Sequence, residues 1–509
     1  MLIIFLTVSF SAINNRISPE IWFMQHSTYF LQCINYFNMK IFFVRMIDKE
    51  KFDEWYNEIV EKAELCDKRY PIKGMNIWKP YGWKIMQNID KLIREEMEKT
   101  NHQEVYFPLL IPENLFKKEE EHIKGFSSEV YWVTHAGDNE LEEKLLLRPT
   151  SETALYSVFP LWIRSHADLP LKTFQIVNTF RYETKMTKAF IRVREIHFFE
   201  AHTCHADFED AEKQIKEDLE IAKSFFSALC IPFIASRRPD WDKFAGAYYS
   251  IGLDVLMPSM KSLQVGSIHH YKENFSRAFG IKYEGIDGKH YYCHQTTYGM
   301  SERVLGAIIG LHGDEKGIKL PSSIAPIQVI IIPILFKGWK ERIIEECKHL
   351  DEKLKEIGIR SFIDAREDKT PGSKFFDWEI KGVPIRVEIG PNDIEKGILT
   401  VVARDGVKKT IPKEDIKMIR KEMEEYDKRI YKMAKKFLKE NIHRIKEKED
   451  GFLEGIIEIP WCGKEECGKK AEEKFGMKSL GIALEENCNE KCFICDGKGV
   501  SWLRLSKSY

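Results

Sequence analysis

"FRYETKMTKAFIRVREIHFFE", residues 180–200, sets Arg181, Glu183, Arg192, Arg194, Glu195 and Glu200 among aromatic residues, with a polar break of ten residues at 184–193. Strand side chains alternate faces, so Arg181 and Glu183 share one face while Phe180 and Tyr182 take the other. On the return strand Arg194, Ile196, Phe198, Glu200 and His202 line up together, and the break reads as a hairpin loop carrying Lys185, Lys188 and Arg192. An arginine fork pairs with a phosphate, a neighbouring carboxylate receives amino groups, and aromatic rings sandwich a base. A nucleotide satisfies all three. A solvated hairpin whose charges cross-pair is the plainer reading of the same residues.

Further strand-like runs at 173–183, 194–204, 248–256 and 290–298 lack regular strand–helix alternation, which predicts an antiparallel sheet with flanking helices, an α+β domain. Upstream, a helix begins near residue 50, and a second carries Met86, Ile89, Ile93 and Met97 at spacings of three and four, one apolar stripe; a strand ending at Pro108 follows. "KGIKLPSSIAP" (316–326) reads as a linker. Beyond it come a strand "IQVIIIPIL", a helix 338–356, a strand "IRSFIDA", a helix 373–381 and strands "VPIRVEI" and "ILTVVAR", the βαβαβ order of an α/β domain with parallel strands. A charged helix, roughly 413–447, leads into a cysteine-rich tail. The expected divisions are therefore 46–325, 326–430 and 431–509. Residues 1–45 stand apart, with four charged side chains among many apolar ones and neither a basic n-region nor a small-residue cleavage site. They read as an atypical leader, with Met46 the expected start.

Over 509 residues, 43% apolar and 31% charged, the net charge is -1, which excludes a uniformly basic nucleic-acid coat although a basic face can hide within such a balance. No run of about 20 apolar residues is present to span a bilayer, and a cytoplasmic location is expected. Five of eleven cysteines crowd into 462–495. Cys462 and Cys467 are spaced C-x4-C, Cys492 and Cys495 C-x2-C, with 24 residues between the pairs, a pattern that suits tetrahedral zinc in a small C-terminal α/β domain. Cys488 is the alternative ligand, and free structural cysteines are the alternative reading.

Two further segments weigh against the plain reading of the hairpin. "VYFPLLIP" (105–112) ends a helix–strand unit in Pro108, Leu109 and Leu110, and "QTTYGMSERVLGAIIGLHG" (295–313) sets Gly299, Ser301, Glu302 and Arg303 at the opening of an apolar helix. With Phe180, Arg181, Glu183, Arg194 and Phe198 between them, the chain resembles the class II aminoacyl-tRNA synthetases, whose three signature motifs occur in this order. "LLLRPTSETALY" (145–156) resembles the substrate loop of prolyl-tRNA synthetases, in which a Thr-x-Glu pair addresses the amino acid; Thr150 and Glu152 are the matches, though Pro149 with the following Thr and Ser also makes a good helix start. "LQVGSIHHYKENFSRAF" and "GSKFFDWEIKGVPIRVEIGPND" are similar to the archaeal and eukaryotic type of that family. The resemblance runs from about residue 46 to the end.

That resemblance implies ATP, as its Mg2+ complex, and L-proline as substrates of a ligase acting on tRNA(Pro). Arg181 would hold the α-phosphate and the amino-acid carboxylate, with Glu183, Arg192, Val193 (by backbone only, where relatives commonly carry Thr), Gln264, Ser267, Ser301 and Arg303 lining ATP. Thr150, Glu152 and His269 would meet proline. Glu200 and His202 either close that pocket or satisfy buried neighbours. About ninety residues separate the second and third motifs, too few for the editing insertion of many bacterial relatives. Discrimination against alanine and cysteine would then rest on contacts of only about 1–3 kcal/mol. Residues 326–430 would be the anticodon-binding domain, with Lys374, Glu379 and Arg386 touching RNA unless they only form a solvated helix face. Tyr509 would bring its carboxylate near the active site, and a homodimer is expected. A threonyl enzyme and a catalytically silent tRNA-binding paralogue are the competing readings; the latter is opposed by the presence of Glu152, Arg181 and Arg303.

Overall fold

A computed structural model describes residues 51–118, 129–445 and 454–509 of the chain. The leader and the start at Met46 lie outside these residues.

The frame of the molecule is an eleven-stranded sheet. In chain order its strands are β1 (Gln103–Glu104), β2 (Leu171–Phe180), β3 (Glu195–His205), β4 (Ile234–Arg237), β5 (Tyr249–Leu256), β6 (Lys261–Lys272), β7 (His294–Ser301), β8 (Ile442–Arg444), β9 (Ile456–Trp461), β10 (Lys478–Asn487) and β11 (Ser501–Ser508). Across the sheet they run β8-β9-β11-β10-β4-β5-β6-β7-β3-β2-β1. The central pairs from β4 to β2 are antiparallel, as expected. The segment ending at Pro108 forms only the short β1, paired in parallel with β2. Proline has no N–H for a ladder, and Phe107 N–H is given to the Gln175 side chain instead.

Alternation divides the sheet between two duties. Phe199 and Ala201 of β3, Ile251, Leu253 and Val255 of β5, and Tyr298 and Met300 of β7 enter the core under helices Pro80–Lys99, Phe208–Ala228 and Arg303–His312. The predicted stripe Met86, Ile89, Ile93 and Met97 is buried there. Odd and even neighbours on the same strands face the opposite side, where the cavity lies.

In the 326–430 region, Ser361–Ile363, Val329–Pro333 and Ile385–Ile389 are parallel, Ile398–Ala403 pairs antiparallel with Ile385–Ile389, and Lys408–Pro412 pairs antiparallel with Ile398–Ala403. The connection from 389 to 398 holds only helix Pro391–Lys396, too short to return the chain in the same direction. The charged helix spans Lys417–Glu440. After it, β8 to β11 do not form a sheet of their own. They join the edge of the central sheet where β10 pairs with β4, and the end of β11 pairs with β6 at Lys261↔Lys507 and Ser262↔Ser508.

Candidate active site

One cavity of about 390 Å³ lies on the open face of the central strands. Thr150, Glu152, Arg181, Glu183, Arg192 and Val193 line it, as do Glu200, His202, Gln264, Ser267, His269, Ser301 and Arg303, so every residue singled out for ATP or amino-acid contact meets in one place.

Strand register explains the convergence. From β3 come Ile196, Phe198, Glu200 and His202; from β7 come Thr297, Gly299 and Ser301. On β6 simple alternation would separate Gln264 from Ser267 and His269. The pairing with β5 slips between Leu253/Asp254, where Leu253 faces Gly266 but Asp254 faces Gln264. This bulge restores the parity and turns all three inward. Gly299 keeps the floor flat, since a Cβ there would press against the Phe198 ring at 3.0 Å.

At one end sit cations. Arg303 opens helix Arg303–His312; its Nε donates to the Ile191 carbonyl at 2.8 Å and its guanidinium to the Gln264 carbonyl at 3.4 Å. Burial, then the charges of Arg181 and Arg192, push its pKa down to about 10. Burial likewise lowers Arg181, whose Nε donates to the Pro149 carbonyl at 3.1 Å. Arg192 approaches Glu183 at 3.5 Å. Three guanidinium groups with the positive end of a helix make a site for a polyanion.

At the other end, Glu152 is held from both oxygens, by Thr150 Oγ1 and by Tyr271 OH at 3.0 Å. Each oxygen keeps a lone pair for an amino group. Behind it, Glu200 accepts from Gln175 at 2.8 Å and from His202 Nε2 at 3.1 Å. Burial raises the Glu200 pKa, but His202 with Ser151 and Gln175 outweighs it and the net shift is down. His202 is likewise opposed by burial and raised overall by Glu200, and its Nδ1 meets Tyr156 OH at 3.0 Å. His269 Nδ1 and Nε2 meet Ser250 at 2.7 Å and Ser267 at 3.0 Å. Burial, reinforced by Arg238, takes it down to about 3, so the ring is neutral.

Arg194 turns away from the cavity, contrary to the alternation expected of it. The β2–β3 ladder stops at Phe180↔Glu195, so Arg194 precedes the strand; its guanidinium lies 4.2 Å over Tyr182 and donates to Glu183 O at 3.0 Å. Tyr509 does not line the cavity. Its hydroxyl meets Ser259 at 2.7 Å, and its ring faces Lys188 of the β2–β3 loop at 5.3 Å. Lys374 is buried, its ammonium on the Asp364 carbonyl at 3.0 Å, which withdraws it from any RNA surface. Arg386 pairs with Glu379 at 3.2 Å and lies 4.0 Å over Phe375. Arg238, Asp242, Phe244 and Ser250 also line the cavity, yet "SRRPDWDKFAGAYYS" offers no periodicity that points there.

The sulfurs of Cys462, Cys467, Cys492 and Cys495 all lie within 4.8 Å of one another, with Cys462 and Cys495 3.8 Å apart. A tetrahedron with bonds of about 2.3 Å has edges of about 3.8 Å, so the set fits zinc. Cys488 is not in the cluster.

Residues 131–312 match the family model "tRNA synthetase class II core domain (G, H, P, S and T)", residues 328–426 "Anticodon binding domain", and residues 451–509 "Prolyl-tRNA synthetase, C-terminal". The chain is 53% identical over 473 residues to the proline--tRNA ligase of Pyrococcus horikoshii, covering 90% of this chain and 98% of that protein. It is 50% identical over 471 residues to that of Thermoplasma acidophilum, covering 91% and 99%. Among solved structures, Giardia lamblia prolyl-tRNA synthetase in complex with prolyl-adenylate superposes with a TM-score of 0.88 at 36% identity, over 92% of this chain and all of that one. The Cryptosporidium parvum enzyme complexed with halofuginone and AMPPNP gives 0.87 at 34%, over 92% and 99%.

Proposed function

Given that this chain belongs to the prolyl-tRNA synthetases, we propose that its cavity divides between a proline end at Thr150, Glu152 and His269 and an ATP end at Glu183, Arg192, Val193, Gln264, Ser267, Ser301 and Arg303, with Arg181 between them. The enzyme attaches L-proline to tRNA(Pro) through prolyl-adenylate. The proline carboxylate attacks the α-phosphorus of ATP, which enters as its magnesium complex, and pyrophosphate leaves. A hydroxyl of the terminal tRNA ribose then attacks the prolyl carbonyl, and AMP leaves. No side-chain nucleophile is needed: Arg181 and Arg303 neutralise charge on either side of the crowded phosphorus while Glu152 fixes the imino cation. Glu200 and His202 form the floor of the proline end, a hydrogen-bonded pair whose polar atoms are engaged by the protein itself. Its size excludes large residues but leaves alanine and cysteine to be activated slowly.

The observation that carries this division is the doubly held Glu152 facing three convergent arginines across one cavity. Glu152→Gln removes the charge and keeps the shape. It is expected to lower kcat/KM for proline by about 30- to 150-fold, the worth of a charged hydrogen bond of about 2–3 kcal/mol, with KM for ATP within about threefold. Steady-state pyrophosphate exchange measures both, and equal losses for the two substrates would refute the division.

Further proposals follow from the same family. Cys462, Cys467, Cys492 and Cys495 hold a structural zinc, supported by their spacing. Glu379 and Arg386 belong to the anticodon surface. The location is cytoplasmic, supported by the unpaired cysteines; no described helix is long and apolar enough to cross a membrane. A homodimer is supported by the apolar surface around Pro108, where Tyr106 is 80% exposed, Leu109 and Leu110 are exposed beside it, and the half-exposed Trp162 packs on Phe107 with ring centroids 5.6 Å apart. Leu110→Glu is expected to halve the mass seen by light scattering, and an unchanged mass would remove this face from consideration.

A further inference from the structure

We propose that Arg238 is a positioning residue that joins the C-terminal strands to the ATP end of the cavity, acting through Gln264; the proposal rests on the ATP assignment above. Arg238 follows β4, and its guanidinium reaches three elements at once. One arm donates to the Leu480 carbonyl of β10 at 2.6 Å; the other donates to Asp254 Oδ1 of β5 at 2.9 Å and to Gln264 Oε1 of β6 at 3.1 Å. The backbone is shaped for it: a Cβ at Gly252 would stand 2.2 Å from the guanidinium, so the group lies flat where any other residue would collide.

The contact with Gln264 has a chemical consequence. An amide has one acceptor and one donor half. With Oε1 taken by Arg238, Nε2 is the half left to the ligand. The same residue's backbone carbonyl accepts from Arg303 at 3.4 Å. A run of direct contacts therefore connects Leu480 of β10, Arg238, Gln264 and Arg303, and Arg238 itself lines the cavity. A guanidinium serving only the join between strands would not reach the nucleotide wall. The arrangement makes the C-terminal strands part of the catalytic apparatus, because β10 supplies the acceptor that fixes one arm of Arg238.

Removing Arg238 outright would leave Asp254 as a buried, unpaired charge, since its second oxygen has no hydrogen-bond partner among the described residues. Arg238→Lys keeps the charge but loses the fork, and Arg238→Gln with Asp254→Asn removes both charges together. In pyrophosphate exchange, Arg238→Lys is expected to raise KM for ATP about tenfold, with kcat and KM for proline within about twofold. Gln264→Ala should do the same, and Arg238→Lys with Gln264→Ala should be no worse than the larger single change by more than about twofold. The neutral pair should repeat the pattern at a melting temperature near that of the parent. A double variant impaired by the product of the two single effects would overturn the proposal, as would an unchanged KM for ATP in Arg238→Lys. If Gln264→Ala is silent while Arg303→Ala is impaired, the proposal fails and the ATP assignment stands; if both are silent, the assignment fails with it.

Discussion

Replacing Arg303 with alanine is expected to cut proline-dependent pyrophosphate exchange by about a thousandfold or more, without loss of melting temperature. Arg303 is buried beside Arg181 and Arg192, and burial with their charges takes its pKa down to about 10. Each guanidinium is fixed by a backbone carbonyl or a carboxylate, as Arg303 is by Ile191 and Arg181 by Pro149. The cluster is therefore held in place against its own repulsion, and the free protein bears that cost. A triphosphate relieves it, and relieves it most when negative charge grows on the oxygens around the α-phosphorus. Removing one preorganised donor from such a site costs about 3–4 kcal/mol in the transition state, and the direct phosphate contact adds to it. Stability should move the other way, because one of three like charges has gone; scanning calorimetry should show a melting temperature equal to the parent's or slightly above. Arg303→Lys retains charge but not the planar fork and should fall between the two. A loss of less than tenfold in the alanine variant would mean that Arg303 does not face the reacting phosphorus.

What could be read from the sequence and what could not divide along a physical line. Local alternation placed Ile196, Phe198, Glu200 and His202 on one face, and they line the cavity. Periodicity found Met86, Ile89, Ile93 and Met97. Both depend on neighbours within one element. Arg194 escaped because the strand begins at Glu195, so strand alternation does not govern the residue before it. Central strand β6 was known only as a stretch resembling relatives: its bulge breaks the period that would have announced it. Lys374 looked like a surface cation, yet it caps a carbonyl inside the α/β domain, a partner ten residues away that no helical spacing suggests. Arg238 and the annexation of β8 to β11 depend on contacts across more than two hundred residues, such as Arg238 to Leu480, and such contacts leave no local trace.

Loss of the proposed zinc should unfold more than the segment that binds it. Of the four cysteines, Cys462 precedes helix Glu465–Phe475, Cys467 lies in its first turn and Cys492 and Cys495 follow β10, and the adjoining core of Ile457, Ile459, Trp461, Phe493, Leu503 and Leu505 is built from β9, β11 and the cysteine loop. Without a metal, four thiols gathered within 4.8 Å have no bond to replace it, and the loop from 488 to 500 loses its anchor. Structural zinc is worth about 10–16 kcal/mol in isolated peptides. Here the apolar core retains part of the fold, so a loss of about 3–5 kcal/mol is expected for Cys492→Ser with Cys495→Ser. At about 2–4 °C per kcal/mol this lowers the melting temperature by about 6–20 °C. Cys488→Ser, outside the cluster, should keep one zinc per chain by atomic emission and the parental melting temperature. Because β10 pairs with β4 and offers Leu480 to Arg238, KM for ATP should rise along with the loss of stability. A chain stripped of metal by chelation that melts where the parent does would show that these sulfurs bind nothing the fold requires, and the C-terminal strands would then owe their place to apolar packing and sheet hydrogen bonds alone.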